Sequence, residues 1–83
     1  EKIPTIQLLT PNGNPKGIIE TEHNSKWENI KDRNIDSQLT DKQLRIMKEL
    51  IQNNQWIIEE SNDILQILSI LEVIYKSSNL LIL

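Results

Sequence analysis

Apolar and polar residues alternate through Thr5-Ile6-Gln7-Leu8-Leu9, and this period of two predicts a strand with Ile6 and Leu8 on one side. The run Thr10-Pro11-Asn12-Gly13-Asn14-Pro15 then interrupts the pattern. Proline presets φ for a turn, and Asn-Gly tolerates the positive φ that tight hairpins demand. Gly17-Ile18-Ile19-Glu20-Thr21 therefore reads as the returning strand. A two-stranded hairpin is marginal in water, so it should lie against another element. Residues Glu22 to Ser37 are polar, anchored only by Trp27, Ile30 and Ile35, and read as a loop or a single helical turn.

A helix start follows. Thr40 can accept from the N–H of Gln43 while the Gln43 side chain reaches back, which is a capping box, and Leu39 and Leu44 occupy the staple positions around it. Asp41 suits the positive end of the helix dipole. Beyond it, Leu44, Met47, Ile51, Ile58, Leu65 and Leu68 fall on one helical stripe, and Leu50, Ile57, Ile64, Leu71 and Ile74 on a second. Between Ile64 and Tyr75 apolar residues reach almost every face, as in a helix buried all round. Ser61-Asn62-Asp63 is a natural break, because these side chains compete for backbone hydrogen bonds.

The expected fold is mainly α. A short N-terminal β-hairpin or extended arm over residues 1–37 precedes an apolar helical segment over 38–83, which forms either a helical hairpin broken near 61–63 or one long bent helix. The hairpin's helices would span Asp41–Glu60 and Asp63–Lys76. So much apolar surface exceeds what a chain this small can cover, so a homo-oligomer or a partner helix is expected. The candidate interface is Trp56, Ile57, Ile64, Leu68, Leu71 and Ile74. For Trp56, placed within a helix, packing into the core is an equal expectation.

Composition narrows the chemistry. The 83 residues bound a single small domain, and the absence of cysteine removes disulfides and thiolate chemistry and fits a reducing compartment. The chain lacks Ala and Phe and is rich in Ile and Asn, which points to AT-rich coding. The net charge of −3 comes without a Lys/Arg cluster, which argues against nucleic acid as a partner. Ile64 to Leu83 is the most membrane-like stretch, but Gln66, Glu72 and Lys76 interrupt it.

No catalytic constellation emerges. His23 is the sole histidine; Glu20 and Glu22 flank it, but it has no spaced second ligand and reads as a solvated loop residue. Glu59 and Glu60, adjacent on the expected helix, would diverge by about 100° and so form no carboxylate pair. Gly13 and Gly17 are too few for a phosphate cradle. The Asn12-Gly13-Asn14 turn lacks the acidic residues of a calcium loop. No catalytic, cofactor-binding or metal-binding residue is assigned.

One ordered pattern remains. Ile3-Pro4, the strand through Ile6, Leu8 and Leu9, the Gly13 turn, the pair Ile18-Ile19, a polar connection, and Leu39-Thr40-Asp41-Lys42-Gln43-Leu44 with Met47 and Leu50 follow one another. This order resembles the N-terminal region of thiamine-diphosphate-dependent 2-oxoacid dehydrogenase α-subunits, most nearly the branched-chain (2-oxoisovalerate) type. The likeness runs from Lys2 to Gln66. Beyond it, Ile67-Leu68-Ser69 stands where that family has Arg-x-Gly, and the Gly-Asp-Gly magnesium and diphosphate motif is missing. The resemblance implies an N-terminal fragment of an oxidoreductase, inactive alone and mitochondrial in a eukaryote, with thiamine diphosphate and Mg held only by the intact protein. The competing expectation is a small non-enzymatic helical interaction or oligomerisation module.

Overall fold

The computed structural model describes residues 5–20 and 35–80, with side chains described as far as residue 76. Along the chain come strand β1 (Thr5–Leu9), strand β2 (Pro15–Glu20), a 3-10 turn (Asp36–Gln38), helix α1 (Asp41–Asn53), strand β3 (Gln55–Ile57) and helix α2 (Asp63–Leu80). Glu22, His23, Trp27 and Ile30 lie outside the described residues.

The hairpin turn forms where the sequence places it. Gly13 N–H donates to the Thr10 carbonyl at 2.8 Å, and Thr10 N–H donates to the Asn14 carbonyl at 2.8 Å. Asn14 N–H adds a bond to the Thr10 hydroxyl at 3.1 Å. Pro11 supplies its preset φ, and Gly13 takes the φ of +85° that closes the loop. The strands then pair antiparallel, with Ile6 opposite Ile19 and Gln7 opposite Ile18. Strand periodicity sends Ile6 and Leu8 inward to full burial, half-buries Ile19 beside them, and leaves Gln7 and Ile18 outside.

Helix α1 begins with the reciprocal bonds of the capping box: Gln43 N–H to Thr40 Oγ1 at 3.1 Å, and Thr40 N–H to Gln43 Oε1 at 3.0 Å. Leu39 and Leu44, the staple pair, both pack against the core. The helix buries Ile46, Met47 and Leu50, whereas Ile51, placed by its spacing on one stripe with Leu44 and Met47, is exposed.

At Asn53 the expectation fails. The helix foreseen to reach Glu60 stops there because Asn54 turns left-handed (φ 57°, ψ 29°) while its N–H still bonds the Leu50 carbonyl at 3.0 Å. Asparagine is one of the few residues that take this conformation readily. Its carbonyl then accepts from Gln7 N–H at 2.8 Å, and Ile58 N–H donates to the Leu9 carbonyl at 2.8 Å. These two bonds bracket β3, which pairs parallel to β1 with Leu8 opposite Trp56 and Leu9 opposite Ile57.

The sheet is thus three-stranded and mixed, in the order β2-β1-β3. The mainly α expectation is thereby corrected: the fold is α+β, and the helices form neither a hairpin nor one bent rod, because a strand lies between them. Both helices cover one face of the sheet's core residues. Ile6 and Leu8 pack with Ile35, Ile46, Met47, Leu50, Ile58, Ile67, Ile70 and Ile74 in a single cluster. Each such side chain contributes about 1.5–3 kcal/mol by leaving water.

Candidate functional site

The densest polar arrangement among the described residues sits where the first turns of α1 and α2 meet the end of β3. Its centre is Asp63, whose side chain is 0 % exposed. The short segment after β3 doubles back so that the Asp63 carboxylate lies under it. Oδ2 accepts from Glu59 N–H at 2.8 Å, from Glu60 N–H at 3.2 Å and from the Trp56 indole N–H at 3.1 Å. Oδ1 faces the Lys42 ammonium at 2.8 Å, close enough for an ion pair though not aligned as a hydrogen bond. Lys42 also pairs with the exposed Glu60 carboxylate. One turn along, Gln43 Nε2 donates to Gln66 Oε1 at 2.8 Å, so consecutive residues of α1 grip α2 twice.

Burial by itself pushes the Asp63 carboxyl pKa up, and it is the largest single influence. The Lys42 ammonium, the Glu59 N–H, the Trp56 indole and the Glu60 N–H together outweigh it, and the carboxyl is held at about 2. Lys42 is driven the opposite way: the adjacent Asp63 and Glu60 carboxylates raise its pKa despite partial desolvation. A general acid or base works best with a pKa near the working pH. Both members of this pair are moved away from neutrality, so each is locked in its charged form. The arrangement is suited to joining elements, and proton transfer is not among the things it does well.

Two of these partners escaped the sequence reading. Lys42 carries no sequence sign of its partner, which lies 21 positions on. Asp63 was visible only as part of the Ser61-Asn62-Asp63 break, and α2 does begin there. Glu59 and Glu60, expected on a helix, lie in the turn before α2; their side chains are exposed, and their N–H groups carry the structural role.

Comparison with known protein families, with curated proteins and with solved structures finds no match to this chain.

The six residues proposed as an interface do not share one environment. Ile74 is in the core, 2 % exposed. Trp56 lies in β3 and not in a helix; it is half-buried, with its indole tied to Asp63. Ile64 and Leu71 are half-buried against the core. Ile57, on the outer face of β3, and Leu68, on the outer face of α2, remain exposed, Leu68 by 46 %. Leu65, which the sequence reading did not single out as an interface residue, is 63 % exposed on the same side of α2. Among the described residues, no group of three or more His, Cys, Asp or Glu side chains is placed to hold a metal ion. No described helix is long and apolar enough to cross a membrane.

Proposed function

We propose that the protein is a small interaction module whose helix α2 packs against the same helix of a second copy. The observation that carries this reading is the stripe Ile64, Leu68, Leu71 and Tyr75, which runs along α2 beside its core-facing side. Its spacing of four, three and four residues is the one by which like helices interlock knobs into holes. Leu68 and Leu65 stand exposed there, and Ile64 and Leu71 are only half-covered by the chain's own core. The locked Lys42–Asp63 pair supports the same view, because it ties α2 to α1, as the Trp56 indole ties it to β3, and gives a partner a defined surface.

Sedimentation velocity at micromolar concentration tests the proposal. The parent chain should sediment as an assembly, and Leu68→Asp should dissociate it while leaving helical circular dichroism intact. A monomeric parent would sink pairing between copies, and a helix of another protein would then be the occupant to seek. An assembly indifferent to Leu68→Asp would remove this face of α2 from consideration.

A second reading rests on the order of strand, glycine turn, apolar pair and Thr40-capped helix that resembles branched-chain 2-oxoacid dehydrogenase α-subunits. There α1 would be a packing element beneath the cofactor fold of a longer subunit, with thiamine diphosphate and Mg bound elsewhere. Downstream coding sequence for Gln-Arg-x-Gly and then Gly-Asp-Gly would favour it. A stop codon directly after Leu83 in related genomes would count against it.

A further inference from the structure

Helix α2 carries two stripes with the same spacing of four, three and four residues, about 100° apart around its axis. One is Asp63, Ile67, Ile70 and Ile74; the other is Ile64, Leu68, Leu71 and Tyr75. The first is the buried one. Hydrophobic burial does not choose it, because that driving force is non-directional and follows area. The first stripe offers three apolar side chains and a carboxylate, whereas the second offers four large side chains and no charge. With Ile64 and Leu71 already packed partly against the core, apolar content alone does not single out the present orientation of α2.

What opposes that turn is the set of donors converging on Asp63. The N–H groups of Glu59 and Glu60 and the Trp56 indole all point at Oδ2, and the Lys42 ammonium faces Oδ1. Turning α2 would bring Ile64 to this position and leave those donors without their acceptor, a cost that falls on each of them separately. The Gln43–Gln66 bond would be lost in the same movement. We propose that Asp63 is a rotational pin: its buried carboxylate selects which of two comparable stripes α2 turns inward, and so keeps Leu68 outside. Nothing in this depends on a partner being present.

The chain contains no cysteine, so single introduced thiols are clean reporters. Leu68→Cys and Ile67→Cys are each made in the parent and in a Lys42→Met/Asp63→Leu background, which replaces the ion pair by apolar side chains and strands no buried charge. Maleimide labelling should be fast at position 68 and slow at position 67 in the parent. In the apolar background helicity should persist while the ratio of the two rates falls by about ten-fold or more. Asp63→Asn, which keeps an acceptor for the three N–H donors, should preserve the parent ratio. An unchanged ratio in the apolar background would overturn the pin. So would loss of helicity there, since the pair would then be needed to fold α2 and not to orient it. Collapse of the ratio in Asp63→Asn would place the effect in the charge and also overturn the assignment.

Discussion

Replacing Asp63 by Asn removes one negative charge from the interior and leaves the side-chain shape nearly intact. Holding a carboxyl at about 2 in place of its ordinary 3.8 corresponds to roughly 2.5 kcal/mol, at about 1.4 kcal/mol per pH unit. The cluster lies near the surface, with the Glu60 carboxylate exposed beside it, so screening by water trims the figure to about 1–2 kcal/mol. For a chain of 83 residues with a total stability of about 4–12 kcal/mol, this is a sizeable share. The direction with pH follows from proton counting. Between about 2 and 3.8 the unfolded chain holds a proton on Asp63 that the folded chain does not, so acid favours unfolding. The contribution is complete above the unfolded value and is lost as pH falls through the folded one. Urea unfolding followed by circular dichroism, at several pH values from 2 to 6, should show the parent above Asp63→Asn by about 1–2 kcal/mol near pH 6, with the gap closing toward pH 2. A gap that stays constant across this range would refute the assigned role of the carboxylate, because no proton would then distinguish its folded and unfolded states.

Two further outcomes probe the backbone. Gly13→Ala should destabilise the hairpin by about 1 kcal/mol, since φ there is +85° although the space around it is open, whereas Gly17→Ala, with equal space and no such φ, should be neutral or slightly stabilising. Thermal melts of the pair decide it, and equal losses at both glycines would contradict the argument from φ. Asn54→Val should cost about 1–2 kcal/mol or more while Asn54→Gly stays within a few tenths, because only the left-handed residue can end α1 and start β3. A tolerated valine, measured by the same melts, would mean that α1 can run on past this point.

The parts of the fold legible in the residues are those whose cause lies within a few positions. The Pro11–Gly13 turn and the Thr40–Gln43 capping box complete their hydrogen bonds inside a window of three or four residues, and the β1 alternation is itself a local pattern, so composition and spacing suffice to locate them. The end of α1 was legible only in part. Asn53-Asn54 is a weak helix pair, but Ile51, Ile58 and Leu65 recur every seven residues and carried the helical pattern straight across the break. A strand of three residues is too short for a period of two to compete with that pattern.

Tertiary structure decided the rest. Residues 55–57 become a strand because the backbone of β1, nearly fifty positions earlier, offers donors and acceptors at Gln7 and Leu9 that no helix would satisfy. That single pairing changes the fold class from mainly α to α+β. It also brings Trp56 and the N–H groups of Glu59 and Glu60 around Asp63, and the first turn of α1 then supplies Lys42. By itself the sequence determines that α2 is a helix with apolar residues on more than one face. Which face turns outward is set by a buried hydrogen-bond acceptor, Asp63, and its distant donors, because apolar burial has no direction and hydrogen bonds do.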